Sequence, residues 1–315
     1  MSEFDLIRNW FTWDNPPAEV RVSVGDDAAV LTPINGTELV VSVDTLVNGV
    51  HFPTDTPAHA IGYKALAVNL SDLAAMGATP RWFTLALTLP EADPVWLEGF
   101  AQGLRDLAEE HGIFLIGGDT TRGSLSITIQ VMGTAPTGQA LLRQGAQAGD
   151  LLCISGTLGD AAAGLAVVQN RWRTTAEAAM FCTQRLNYPT PRTRLGLWLR
   201  GRASSCMDIS DGLLADLKHL LARSHVGASI QHQQLPFSAA LHDLTLEQRL
   251  TYALTGGDDY ELLFTIPAEL SGQIDDFNKN NQEKITVIGT ITAHPGQVQL
   301  DCPLNFLTDG YNHFK

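Results

Sequence analysis

The chain has 315 residues, 44% hydrophobic and 17% charged, with 20 Lys and Arg against 34 Asp and Glu for a formal net charge of −14. That length allows two domains with separate cores, and the composition argues against a disordered chain. The acidic balance speaks against nucleic-acid or anionic-membrane partners, and admits a polyphosphate only if metal ions screen carboxylate from phosphate.

Phe4, Ile7 and Phe11 have helical spacing and predict a short N-terminal helix. Strands are expected over 28–32 and 38–44, the second ending on Asp44. Thr56-Pro57 is a helix start and Gly77 its stop, with Asn69 and Asp72, three apart, on one face. A strand over 81–89 and an amphipathic helix over 94–110 come next. The apolar run Ile113–Ile116 predicts a short buried strand, and Gly117-Gly118 a tight turn or a close backbone approach. Alternation over 124–132 predicts a half-buried antiparallel strand.

The Gly-, Ala- and Gln-rich stretch 133–149 marks a boundary, giving domains 1–137 and 138–315. Beyond it a strand over 150–155 is expected, then a helix opened by Gly159-Asp160 and helices over 174–186 and 191–200. Around Asp208-Ile209-Ser210-Asp211 a short strand gives way to a helix running to about Ser224. Strands near 228–232, 261–266 and 284–291 and helices near 245–253 and 268–279 complete two α+β units without a strict βαβ rhythm.

Cys153, Cys182, Cys206 and Cys302 are widely spaced with no C-x-x-C pair, so buried reduced thiols are expected rather than a disulfide framework or a thiolate zinc site. Met1–Asp5 has neither a basic nor an apolar leader character, and no apolar run approaches membrane-spanning length, so a cytoplasmic protein is expected. P-loop, kinase, dinucleotide and G-x-S-x-G fingerprints are absent, and no His pair has zinc-site spacing.

Carboxylate chemistry remains. Glycine stands beside acid at Gly25-Asp26-Asp27, Gly117-Gly118-Asp119, Asp211-Gly212 and Gly256-Gly257-Asp258-Asp259. Each alone has a plain explanation: a turn at Asp26-Asp27, an exposed helix position at Asp72, a helix cap at Ser210 or Asp211. Jointly they suit a hard cation, since Mg²⁺ takes oxygen ligands from a few carboxylates, water and substrate phosphate. Glycine beside them lets phosphate oxygens reach backbone N–H groups.

With these residues in view, the chain resembles the thiamine-monophosphate kinase family, of the superfamily that includes aminoimidazole ribonucleotide synthetase and selenophosphate synthetase. Gly25-Asp26-Asp27, Ser42-Val43-Asp44-Thr45-Leu46-Val47 with His51-Phe52, Asn69–Ala78, Gly117–Gly123 and Asp208–Gly212 carry the resemblance in order, and it extends to Gly310–Phe314.

It implies a two-domain aminoimidazole ribonucleotide synthetase-like fold of α+β and α/β character. In it an N-terminal mixed sheet with helices, metal- and ATP-binding and dimer-forming, precedes a larger C-terminal α/β domain that completes the active-site cleft. It implies ATP-dependent phosphorylation of thiamine monophosphate to thiamine diphosphate, with several Mg²⁺ ions. Asp27, Ser42, Asp44, Asp72, Asp119, Asp208 and Asp211 are then magnesium ligands, directly or through water. Gly118, Asp119, Arg143 and Ser210 contact ATP, and His51, Asp258 and Thr308 the thiamine substrate. Asp258 stands where the family has glutamate, and Thr308 where it often has an aromatic residue, a role open to Phe306 or Tyr311. Another ATP-using member of the superfamily, a Mg-nucleotide binder without turnover, and a phosphatase are the alternatives.

Overall fold

The computed structural model describes residues 3–25 and 28–302. Two compact units divide the chain, one of residues 1–73 and 78–140, the other of Ala74–Gly77 and 141–315.

The first unit opens with α1 (Glu3–Leu6), which continues as a π-helical turn over Ile7–Phe11. A small hairpin, β1 (Val20–Val22) with β2 (Val30–Leu31), precedes β3 (Thr37–Val47), α2 (Ala58–Ala75), β4 (Thr79–Leu89), α3 (Pro94–His111), β5 (Phe114–Arg122) and β6 (Ser126–Pro136). The sheet runs β3-β6-β4-β5, antiparallel except for the β4–β5 pair. One face carries the buried residues Leu46 of β3, Ile127, Ile129 and Val131 of β6, and Phe83, Leu85 and Leu87 of β4. Ser42 and Asp44 belong to that face, and each touches α2. On β3 the alternate residues Leu39, Val41 and Val43 point the other way and are 58%, 48% and 57% exposed.

Two differences from the sequence expectation bear on the site. β5 does not end at Ile116: it runs on through Gly117-Gly118-Asp119-Thr120-Thr121-Arg122, paired residue by residue with Thr84–Leu89. The polar run is therefore strand rather than turn, because β4 supplies ladder partners that local propensity does not reveal. A Cβ on Gly118 would lie 1.8 Å from the Leu85 carbonyl oxygen, so only glycine lets the two strands approach. Likewise β6 extends to Pro136, into the stretch 133–149 that the composition marks as the boundary.

The second unit contains β7 (Leu151–Ser155), α4 (Asp160–Val168), α5 (Ala176–Asn187), α6 (Thr193–Leu199), β8 (Ser205–Ile209), α7 (Leu213–Ser224), β9 (Gly227–Gln231), α8 (Leu246–Thr255), β10 (Glu261–Ile266), α9 (Ser271–Asn280), β11 (Ile285–Thr292) and β12 (Val298–Asp301). Its sheet runs β12-β9-β11-β7-β10-β8 and is antiparallel but for β12 on β9. Both faces are buried. Leu152, Ile154, Met207, Ile209 and Leu263 pack with leucines of α7 and α8. Cys153, Cys206, Leu262, Phe264 and Ile266 pack with α6 and α9.

In the first unit α2 and α3 cross at glycine. A Cβ on Gly62 would sit 2.0 Å from the Phe100 carbonyl oxygen, and one on Gly103 2.0 Å from that of His59. Gly103→Ala would gain about 1 kcal/mol in helix propensity but must push the helices apart, and overpacking of this kind costs about 1–3 kcal/mol. We expect the variant to be less stable than wild type in urea unfolding. An equal or higher midpoint would mean that the crossing is loose.

Candidate active site

The predicted residues of the first unit fall into two groups. Ser42 and Asp44 stand two apart on β3, so both side chains leave the sheet on the side covered by α2. The Ser42 hydroxyl donates to Asp72 Oδ2 at 2.5 Å, and the Asp44 N–H donates to Asn69 Oδ1 at 3.1 Å. The three-residue spacing of Asn69 and Asp72 places both where β3 can meet them. Burial, and then the neighbouring Asp72 charge, push the Asp44 carboxyl up to about 6. His51 follows in the turn after β3, its Nδ1 accepting from the Val47 N–H at 3.0 Å and its carbonyl from the buried Lys64 at 3.3 Å.

Gly118 and Asp119 lie at the opposite edge. Asp44, Ile129, Leu85 and Gly118 form one register row across the four strands, and Thr45, Thr128, Ala86 and Asp119 the next. Three strand spacings, about 14 Å, thus separate the edge that carries Asp44 from the edge that carries Asp119. With Gly117 and Thr120, Gly118 and Asp119 line a cavity of about 760 Å³. Arg8, Thr12, Ser23, Gly25 and Ala28 form other parts of its wall. A Cβ at Gly117 would meet nothing within 4 Å. Asp27, like Thr308, Phe306 and Tyr311, lies outside the described residues.

The second unit gathers its predicted residues at the turn between β8 and α7. Asp208 is buried near the end of β8, and Ser210 and Asp211 are half-buried beyond it. Neither occupies the N-cap position of α7, which belongs to Gly212. The plain explanation of Ser210 or Asp211 as the helix cap therefore does not hold, and their two N–H groups are bound by Asp216. Its Oδ2 accepts both at 3.0 Å. Burial, helped by the neighbouring Asp211 charge, pushes Asp216 up to about 7 against those hydrogen bonds and the nearby Arg143 charge. Arg143 itself is exposed. Asp258 joins the group through its N–H, which donates to the Ser210 carbonyl at 2.9 Å.

Sequence reasoning passed over three acids that the structure makes central. Glu261 and Asp259 are almost wholly buried. The Glu261 carboxylate accepts from Arg185 at 2.7 Å, from Arg192 at 2.6 and 2.5 Å and from the Ser155 hydroxyl at 2.5 Å. Burial would raise its pKa, but the two guanidinium groups hold it below the usual range. Asp259 accepts from the Gly159 and Ala161 N–H groups at 2.7 and 3.3 Å, and burial pushes it up to about 8. Asp216 is the third. The run Gly256–Glu261 signalled acids beside glycine, but nothing local distinguished the buried acids from the half-buried Asp258.

Among the described residues no three His, Cys, Asp or Glu side chains gather closely enough to hold a metal. Ser42, Asp44 and Asp72 nevertheless fit Mg²⁺: all are oxygen donors, and this ion takes one or two protein carboxylates and completes its shell with water and phosphate. The mutual repulsion of the two carboxylates is what a cation would relieve.

Residues 25–135 match the AIR synthase related protein N-terminal domain, and residues 147–301 the AIR synthase related protein C-terminal domain. The chain is 45% identical over 321 residues to a thiamine-monophosphate kinase of Escherichia coli strain K12, covering 99% of this chain and 98% of that one. The crystal structure of thiamine-monophosphate kinase from Stenotrophomonas maltophilia K279a superposes with a TM-score of 0.89 at 46% identity, covering 96% and 97% of the two chains. AaThiL complexed with AMPPCP and TMP superposes at 0.80 with 32% identity, covering 99% and 96%.

The raised Asp44 carboxyl has a definite pH signature. Folding moves its pKa from about 3.9 to about 6, so the metal-free folded state binds this proton at higher pH than the unfolded chain does. The contribution is most favourable below pH 4 and is lost as pH rises through 6. Asp44→Asn should therefore stabilise the metal-free protein at pH 8 by about 1–3 kcal/mol, with the gain vanishing towards pH 4. Urea melts with EDTA at both pH values check this. A mutant less stable at pH 8 would mean that ionised Asp44 is held by a favourable partner.

Proposed function

The chain belongs to the AIR synthase related proteins and, within them, to the thiamine-monophosphate kinases, and from that membership we propose how its own residues divide the reaction. It catalyses the ATP-dependent phosphorylation of thiamine monophosphate to thiamine diphosphate. The observation that carries this is full-length likeness to the curated kinases, joined by fold likeness to AaThiL solved with AMPPCP and TMP.

The acceptor is a phosphate already ionised near neutral pH, so no general base is assigned and the γ-phosphoryl passes directly from ATP. Positioning and charge neutralisation then carry the catalysis. Bound Mg²⁺ supplies the neutralisation on donor, acceptor and transferring group. In the first unit Asp27, Ser42, Asp44, Asp72 and Asp119 hold magnesium, directly or through water, and in the second Asp208 and Asp211 do so. The Ser42 hydroxyl orients the Asp72 carboxylate, and the Asn69 amide fixes the backbone of Asp44. The three strand spacings between Asp44 and Asp119 support more than one ion.

Gly118, Asp119, Arg143 and Ser210 contact the nucleotide. For Arg143 the support is its charge beside the Ser210 turn and a planar fork that matches two phosphate oxygens. His51, Asp258 and Thr308 contact thiamine monophosphate.

The enzyme is read as cytoplasmic. Cys153, Cys182, Cys206 and Cys302 are free thiols, which suits a reducing compartment, and no helix among the described residues is long and apolar enough to cross a membrane. It is also read as a homodimer. The exposed stripe Leu39, Val41 and Val43 lies on the edge strand of the first sheet, and a second copy would bury it.

Protein mixed with MgATP and thiamine monophosphate should yield thiamine diphosphate and ADP. Asp72→Asn should abolish most turnover while leaving the metal-free fold as stable as wild type or slightly more so. It should also shrink the stabilisation by MgATP, roughly 2.7 kcal/mol for wild type at a hundredfold excess over Kd. A mutant that melts well below wild type without metal, yet gains as much from MgATP, would show that Asp72 is architecture rather than a magnesium ligand. For assembly, sedimentation at micromolar protein should give twice the chain mass, and Val41→Asp should halve it. A monomeric wild type would refute the dimer.

A further inference from the structure

The segment Gly257-Asp258-Asp259-Tyr260 holds two non-glycine residues in the left-handed region, Asp258 at φ +71° and Tyr260 at φ +49°. L residues avoid this region, and two within three positions persist only where the surroundings over-determine the backbone. Here every residue from 258 to 261 is tied down. The Asp258 N–H donates to the Ser210 carbonyl and the Tyr260 N–H to the Ile209 carbonyl, each at 2.9 Å. Between them the Asp259 carboxylate takes the N–H groups of Gly159 and Ala161 at the start of α4. The Asp259 carbonyl accepts from Arg185 at 3.3 Å, and the same Arg185 nitrogen reaches Glu261 at 2.7 Å.

Asp259 is thus buried while its neighbour Asp258 is only half so. The two acids have opposite surroundings because the left-handed step at Asp258 turns the chain between them.

We propose that Asp259 is a positioning residue of the kinase reaction: by tying the turn to α4 and Arg185, it holds the left-handed backbone of Asp258 and so aims the Asp258 carboxylate at thiamine monophosphate. The inference rests on the reading of Asp258 as a substrate contact. It also gives a physical role to the aspartate at 258: a side chain one methylene shorter than glutamate depends more on where its Cα is held, since it has one fewer torsion with which to compensate.

The test is a double-mutant cycle read by steady-state kinetics. Asp258→Gly fits the positive φ and removes the carboxylate. It should raise KM for thiamine monophosphate about tenfold and leave KM for MgATP within twofold. Asp259→Asn keeps the side-chain volume but has one acceptor oxygen for two N–H donors. It should produce the same selective rise in KM. In the double variant D258G/D259N the second change should add nothing, because Asp259 then has no side chain left to aim.

An unchanged KM for Asp258→Gly removes the substrate contact itself, and the inference with it. A raised KM there, with Asp259→Asn at the wild-type value or with effects that multiply, overturns the positioning role alone. Should Asp259→Asn not accumulate as folded protein, Arg185→Lys takes its place in the cycle. That variant keeps the charge but loses the planar fork, and must show the same selective rise that disappears in the Asp258→Gly background.

Discussion

Within the second unit the organising interaction is the buried carboxylate of Glu261. A charge removed from water is tolerated only where other charges and donors replace the water, and here two guanidinium groups and a hydroxyl do so. Those partners come from α5, from the residue before α6 and from the end of β7, while Glu261 itself begins β10. One side chain therefore locks two helices against the centre of a sheet. The Ser155 hydroxyl also accepts from the Leu262 N–H at 2.8 Å, which carries the lock into the strand ladder.

From that anchor the neighbouring acids take their roles by position. Asp259, two residues before, takes its hydrogen bonds from backbone N–H groups, with the Arg185 charge acting only from nearby, and Asp216 does the same for Ser210 and Asp211, with Arg143 nearby. Backbone donors satisfy lone pairs but carry no full charge, so burial prevails and both carboxyls stay raised, to about 8 and about 7. These acids hold the turns that present Ser210, Asp211 and Asp258. The acids assigned to magnesium are of another kind: Asp44 and Asp72 repel each other. The chain thus separates carboxylates that hold neighbouring backbone in place from the pair Asp44 and Asp72, whose charges oppose each other.

In the first unit the same division appears between the two faces of β3. Ser42 and Asp44 meet α2, and the alternate residues Leu39, Val41 and Val43 form the exposed apolar stripe. A one-residue slip in the β3–β6 register would exchange the face that carries Ser42 and Asp44 for the one that carries Leu39, Val41 and Val43, so the eleven paired positions from Thr37 to Val47 decide which residues meet α2.

Much of this was legible without coordinates. The helices over 58–75 and 94–111, most strands and the mixed α+β character follow from apolar period and from Thr, Pro and Gly signals, which are local properties. Ordered motifs around Asp44, Asp72, Asp119 and Asp208 carried the resemblance to the kinase family that the full-length likeness bears out, because a short string of residue types records a chemical requirement wherever the chain carries it. What the chain alone could not convey was which residues pair across distance. The continuation of β5 through Asp119 depends on ladder partners in β4. The placement of Gly118 and Asp119 an entire sheet width from Asp44 depends on strand order. The buried roles of Asp216, Asp259 and Glu261 depend on donors from five to 106 residues away. An aspartate in a sequence has the same intrinsic chemistry at every position. Only the tertiary structure decides whether it meets a guanidinium, a backbone N–H or another carboxylate, and that neighbour sets its charge and its task.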